Sequence, residues 1–294
     1  MLFGSRRALR ADTCHGCHSR SDNKSCQTHI HIVLQQMYQK NPLFGYLCIN
    51  KINCLTDTHK KTTKMTTGII VAMEKELRLL TPSLYMPQIT EEKGFTFYSG
   101  TIGGRKVCIM KCGIGKVNAA VGTAAMIDTF HPHLIINTGV AGGTGAAGIL
   151  DVVLADRIAY HDIWCGPGTE EGDAAGCPRF FTPPAAVLRL PCATVRGIKR
   201  GLVCSGDRFI STPAEVKHIL GLYPDALAVD MESAAIAHVC HLRNVPFVCL
   251  RVISDTPGAA DNIAQYENFW EDAPRHTFEA LSALLAELPE QSEL

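Results

Sequence analysis

The chain has 294 residues, 46% hydrophobic and 19% charged, with a mean hydropathy of +0.07. That composition excludes a disordered, acidic or low-complexity protein and supplies ample apolar material for a buried core. The 28 basic and 28 acidic side chains cancel only over the whole length: residues 1–64 hold ten Lys/Arg against three Asp, a net +7, and the other 230 residues hold 18 basic and 25 acidic groups, or −7. Two differently composed pieces are joined, and each is read separately.

Residues 1–64 show no sustained apolar period. The runs Ile32-Val33-Leu34 and Leu47-Cys48-Ile49 are too short to span a bilayer or to form the core of a secretory signal. The Arg-rich start, Arg6-Arg7-Ala8-Leu9-Arg10, is only faintly like a transit peptide. Cys14-His15-Gly16-Cys17-His18 matches the C-x-x-C-H pattern of haem attachment, and Cys14, Cys17, Cys26, His29 and His31 could combine into a zinc site. Neither is favoured. Haem attachment needs export, for which this N-terminus carries no signal, and the Cys/His spacing fits no standard finger. The expected reading is a basic extension without ordered structure, or an upstream stretch translated only on paper, with the start at Met65. Its positive charge implies no nucleic-acid partner.

From Thr67 the texture changes. Gly68–Met73 is a continuous apolar run, the mark of a strand buried on both faces. Glu74–Leu80 has helical spacing, with Glu74 and Glu76 in the first turn where the helix dipole favours them. Phe95–Gly100 and Lys106–Lys111 read as a strand pair across Gly103-Gly104, and Lys116–Phe130 as a helix. Leu134–Thr138 is a buried strand running into Gly139-Val140-Ala141-Gly142-Gly143. Ile149–Ala155 reads as a strand, residues 162–183 as a surface loop, and Leu202–Gly206 as a strand ending in a turn. Ala226–Val229 is a short strand, Met231–Arg243 a helix, Pro246–Ile253 an apolar strand, and Ile263–Leu288 a closing helix or helix pair. This alternation predicts, for residues 65–294, a single α/β domain whose mixed, mainly parallel central sheet has helices on both faces.

Ligands of such sheets sit beyond the carboxyl ends of the strands. Glu76, Gly139–Gly143, Asp207, Asp230, Glu232 and Asp255 all fall at or just beyond strand ends, so they form one candidate pocket. The glycine run is neither a dinucleotide fingerprint nor a P-loop. It reads either as a tight turn or as a place where backbone approaches a ligand. A carboxylate at a strand end in an apolar pocket acquires a raised pKa, which suits a general acid. Singly, each of these acids reads as a cap or a solvated turn; three converging on one rim read as a site.

Six blocks occur in order: Ala72-Met73-Glu74-Lys75-Glu76, Gly113-Ile114-Gly115-Lys116-Val117, Asn137–Gly143, Ser205-Gly206-Asp207-Arg208-Phe209-Ile210, Val229-Asp230-Met231-Glu232-Ser233, and Arg251-Val252-Ile253-Ser254-Asp255. Together they closely resemble the 5′-methylthioadenosine/S-adenosylhomocysteine nucleosidases of the purine nucleoside phosphorylase superfamily, over about residues 67–290. The resemblance implies a nucleoside phosphorylase-like fold and hydrolysis of an adenine nucleoside through a ribosyl cation-like transition state. By position Asp255 matches the general acid at adenine N7, held by Ser254, and Glu76 the general base for water. Glu232 matches the carboxylate that grips the ribose hydroxyls. Phe209 corresponds to the ring stacking on adenine and Ile210 to the backbone reading the base edge. Met73, Met231 and Gly142 match substrate-binding positions, Arg251 a residue helping to place the water, and Tyr266 an aromatic lid residue. The resemblance also implies a homodimer that helps form the pocket, and a chemistry needing no metal or organic cofactor.

Two positions depart from the family pattern. Val140 stands where well-known members carry Ser, and Asp230 begins a block usually written Glu-Met-Glu. The rivals are a phosphorylase or futalosine hydrolase of the same superfamily, and a nucleoside-binding or storage protein without catalysis. Phosphorolysis needs cationic and hydroxyl groups around the anion. The turn at Gly113–Asn118 lacks the Pro-Ser that phosphorylases often carry, and Glu76 would repel phosphate. The eight cysteines beyond residue 65, mostly in apolar segments, fit a reducing compartment and hence the cytoplasm, with Cys165 and Cys177 expected as free thiols.

Overall fold

The computed structural model describes residues 66–194, 198–270 and 273–289, which belong to a compact unit spanning Lys64–Leu294. The sequence readings on residues 1–64 lie outside the described residues. The elements follow in chain order: β1 (Thr67–Val71), α1 (Glu74–Leu80), β2 (Tyr85–Glu92), β3 (Phe95–Ile102), β4 (Arg105–Lys111), α2 (Lys116–Phe130), β5 (Leu134–Gly143), β6 (Val152–Tyr160), α3 (Ala185–Leu188), β7 (Ile198–Ser205), α4 (Pro213–Leu222), β8 (Ala226–Asp230), α5 (Ser233–Arg243), β9 (Phe247–Asp255), α6 (Asn262–Phe269) and α7 (Ala273–Glu287).

The strands form one mixed sheet in the order β2-β3-β4-β1-β5-β8-β7-β6-β9, with a further pairing of β5 to β9. The pairings β1–β4, β1–β5, β5–β9, β6–β7 and β7–β8 are parallel; β2–β3, β3–β4, β5–β8 and β6–β9 are antiparallel. The extra pairing closes β5, β9, β6, β7 and β8 into a ring.

Alternation along the strands assigns the two faces, because successive side chains in a strand point to opposite sides. Ile70, Cys108, Met110 and Ile135 pack with Ala119 and Met126 of α2 and Ala234–Ala237 of α5. Ile69, Val71, Ile109, Leu134 and Ile136 pack with Leu77 and Leu80 of α1 and Leu281, Leu284 and Leu285 of α7. A third cluster seats Ile219 of α4 and Tyr223 on Leu202, Cys204 and Ala226. Helices therefore cover both faces, as the sequence predicts.

Several boundaries differ from the sequence reading, each for a physical reason. The glycine run is not a turn: β5 continues through Gly143 because its far end finds β8 and β9 as partners. The strand expected at Ile149–Ala155 is shifted to Val152–Tyr160, since residues 145–151 form a turn. The helix expected from Met231 begins at Ser233, leaving Met231 and Glu232 in a bend over the cleft. The closing segment is two helices, α6 and α7. Three elements went unread, β2, α3 and α4; α3 is a single turn of four residues, too short to show a helical period. β2 is exposed at every position and so shows no buried stripe. α4 opens with Thr212-Pro213-Ala214-Glu215, a capping box with Pro at the first helical position, a signal that was present in the sequence.

Candidate active site

A cleft opens beyond the carboxyl ends of β1, β4, β5, β7, β8 and β9. Ala72, Met73 and Glu76 reach it from β1 and α1, Ile114 from the turn before α2, and Val140–Gly142 from β5. Arg208, Phe209 and Ile210 follow β7, Val229–Glu232 end β8, and Ser254, Asp255 and Pro257 end β9, while Tyr266 leans in from α6. Three of its carboxylates, Glu76, Glu232 and Asp255, are almost wholly buried.

Glu76 is the third residue of α1 and folds back on the helix start. Its Oε2 accepts the backbone N–H groups of Ala72 (2.8 Å) and Met73 (2.9 Å), and Oε1 accepts that of Val140 (3.0 Å). Three donors from two elements fix the carboxylate. Burial nevertheless pushes its pKa above the ordinary glutamate value, against the pull of Arg251 and these donors. Gly139 makes the arrangement possible: a Cβ there would lie 2.3 Å from Glu76 Oε1 and 2.6 Å from Arg251 Nη1.

Asp255, the last residue of β9, accepts the Ser254 hydroxyl at 2.6 Å and the Asn262 side-chain amide from the start of α6. Burial raises its pKa, opposed only by these two neutral donors. A carboxyl kept protonated beside an apolar wall can deliver a proton. Glu232 accepts Gly115 N–H at 2.9 Å and faces Arg251 Nη2 at 3.8 Å, and burial raises its pKa as well. The wall is largely apolar: the Phe209 and Tyr266 rings meet edge-on at 5.8 Å, and the Tyr266 hydroxyl donates to Met73 Sδ at 3.3 Å.

Residues 66–286 match the phosphorylase superfamily. A 5′-methylthioadenosine/S-adenosylhomocysteine nucleosidase from Anoxybacillus flavithermus is 36% identical over 231 residues, covering 76% of this chain and 99% of the relative. The chain belongs to the 5′-methylthioadenosine/S-adenosylhomocysteine nucleosidase family. Solved structures of the family superpose on it. The Streptococcus pyogenes S-adenosylhomocysteine nucleosidase in complex with 5-methylthiotubericidin gives a TM-score of 0.72 at 33% identity, covering 77% of this chain and 98% of its own. The Streptococcus pneumoniae enzyme with the transition-state inhibitor MT-ImmA gives 0.73 at 32% identity, covering 76% and 100%.

Ten of the eleven site positions that the family resemblance singles out line the cleft: Met73, Glu76, Gly142, Phe209, Ile210, Met231, Glu232, Ser254, Asp255 and Tyr266. Arg251 does not; it is fully buried behind the carboxylates. Asp207, pooled with the pocket from its strand-end position, also stands outside. Its Oδ1 accepts Lys116 N–H at 2.6 Å and its own N–H donates to Asp162, so it ties the Gly113–Lys116 turn to the loop after β7. Asp230 is at the rim, but its carboxylate turns inward to Arg251. Asn262 and Asn137 were missed as partners of Asp255 and Arg251. Asn262 is seven residues from its partner and Asn137 is 114 from Arg251, and no local pattern marks either pairing. Among the described residues no group of three or more His, Cys, Asp or Glu side chains could hold a metal, and Cys165 and Cys177 are free thiols.

Proposed function

We propose that the chain hydrolyses the N-glycosidic bond of 5′-methylthioadenosine and S-adenosylhomocysteine, releasing adenine and the 5-thioribose product. The convergence of three buried carboxylates on one largely apolar cleft, in a chain of this family, carries the reading. Asp255 protonates adenine N7 as the bond breaks, and its raised pKa keeps that proton available. Glu76 takes a proton from the attacking water, which adds its oxygen to the ribosyl carbon. Glu232 holds the ribose hydroxyls, while Phe209 and the Ile210 backbone bind the base. Acid to leaving group and base to water is also the logic of an inverting glycosidase.

The same reading makes residues 65–294 the catalytic domain, residues 1–64 an extension outside it, and the protein a cytoplasmic homodimer. Ile114, Val117, Val121 and Leu242 form an exposed apolar face on the Gly113–Lys116 turn, α2 and α5. Ile114 is 51% exposed and lines the cleft, so a partner covering this face would help to wall the site. All eight described cysteines are free thiols, and no helix among the described residues is long and apolar enough to cross a membrane.

The test is adenine release from 5′-methylthioadenosine, S-adenosylhomocysteine and 5′-deoxyadenosine, with and without inorganic phosphate. Phosphate-independent release is expected, with Asp255→Asn slower by about 10²–10⁴. Strict dependence on phosphate would make the enzyme a phosphorylase, and near-wild-type turnover by Asp255→Asn would remove its role as the acid.

A further inference from the structure

Arg251 is the largest fully buried side chain of the described residues. A guanidinium carries five N–H donors in a rigid fork, and a buried donor without an acceptor is costly. Most of the fork is occupied. Nε donates to Asp230 Oδ2 at 2.8 Å, and Nη2 donates to Asn137 Oδ1 at 2.6 Å, with the Ser233 hydroxyl within 3.3 Å of Nε and 3.1 Å of Nη2.

The two acceptors are themselves fixed. Asp230 Oδ1 accepts the Ser205 hydroxyl and the N–H groups of Glu232 (3.3 Å) and Ser233 (3.2 Å). Asn137 is anchored through its amide nitrogen to Ile70 O at 3.0 Å. Nη1 is different: it is buried and has no partner. Gly139 shows where it points, because a Cβ at that residue would touch both Nη1 and Glu76 Oε1. The only unpartnered corner of the guanidinium is therefore turned toward Glu76.

The geometry points to Asp230 and Asn137 as positioning residues for the hydrolytic step. They hold Arg251 back by its Nε and Nη2 edge, so that Nη1 faces Glu76 without closing on it. This rests on the reading of Glu76 as the base. Distance sets the balance among the carboxylates around this one cation. Asp230 is in hydrogen-bond contact at 2.8 Å, whereas the closest approach to Glu232 is 3.8 Å. Asp230 therefore takes most of the positive charge, and Glu76 keeps a carboxylate basic enough to accept a proton. The other titratable groups around Arg251 and Glu76 are Cys112, Cys249, Tyr266 and Asp255. Burial pushes the Cys112 and Cys249 thiols to about 12 and about 11 and raises Tyr266 above the ordinary tyrosine value, so these three stay neutral across the acid limb, and burial raises Asp255 as well.

The experiment measures adenine release from 5′-methylthioadenosine between about pH 5 and about pH 9 for wild type, Asp230→Asn, Asp230→Glu, Asn137→Ala and Glu76→Gln, with thermal melts of each. Asp230→Asn strips Arg251 of its nearest counter-charge. The expected result is a fall in kcat of about 10- to 100-fold with KM little changed, since only the reacting geometry is disturbed. The acid limb of the profile should move to lower pH, because the released cation closes on Glu76 and favours its ionised form. Asp230→Glu should bring the limb back toward wild type. Asp230→Asn leaves a buried cation unpaired and can fail to fold. Asn137→Ala then decides: lower kcat at unchanged KM supports the proposal, and wild-type kcat overturns it. Loss of activity in step with loss of folded protein, the limb unmoved, would reduce Asp230 to a structural role and also overturn it. Wild-type turnover by Glu76→Gln would instead remove the underlying reading of the base, a failure distinct from either.

Discussion

Burial raises the pKa of both Asp255 and Glu76, but their surroundings divide them. Glu76 has Arg251 and three backbone donors favouring its charged form, whereas Asp255 has only a hydroxyl and an amide. The proposed roles require Asp255 to hold its proton to higher pH than Glu76, the order that an acid and a base working together need. The expected kcat/KM profile is a bell. Its acid limb marks protonation of Glu76, above the ordinary glutamate range, and its basic limb marks ionisation of Asp255. Activity should fall as pH drops through the first and as it rises through the second. A profile level across both would contradict the assignment, and Asp255→Asn should lack the basic limb. Both groups were legible in the sequence because each ends an apolar run or begins the helix after it. Their relative pKa values were not, since Asn262 and Arg251 reach them through the fold.

At the scale of elements, β5 carries the site. A run with Gly at positions 139, 142 and 143 weakens a strand on propensity alone, and in the sequence it reads equally as a turn. The structure keeps it extended because the missing side chains leave room for what crosses there. A Cβ at Gly142 would lie 2.5 Å from Pro257 Cγ, and one at Gly139 would strike both Glu76 and Arg251. Gly139→Ala should therefore cost at least about 100-fold in kcat, by displacing Glu76, the proposed base, whose placement matters on the ångström scale. Adenine release alongside a melting curve would check this, and wild-type turnover by the Gly139→Ala variant would show that the site has slack. The buried strands β1, β5 and β9 were readable from their apolar runs. β2 was not, because an edge strand exposed throughout has no hydrophobic period, and its register shifts between Tyr85 and Gln88.

At the scale of the whole molecule, the apolar face of α2 and α5 lies beside the mouth of the cleft rather than opposite it. Val117 is 73% exposed and Leu242 63%, values that a solitary enzyme would leave open to water. If the proposed dimer forms through this face, the double substitution Val117→Asp with Leu242→Asp should convert it to monomer in sedimentation velocity and lower activity through the loss of a wall near Ile114. A variant still dimeric would place the interface elsewhere. The α/β class and the position of the cleft followed from strand-helix alternation alone. The exposed face was not legible, because helical periodicity marks the side turned to the core and is silent about a second apolar stripe.

The closed ring of β5, β9, β6, β7 and β8 has a consequence for how the molecule opens. Each of these strands has a neighbour on both sides, so none can fray from an edge, whereas β2 has a neighbour on one side only. Amide hydrogens of β5 and β9 should exchange with solvent among the slowest in the protein, and those of β2 among the fastest. Three of the ring strands carry Val140–Gly142, Asp230 and Ser254-Asp255 at their carboxyl ends. Asp255, the proposed acid, and the groups beside it thus stand on the part of the molecule expected to open last, where transient loosening of the outer strands should leave their spacing unchanged.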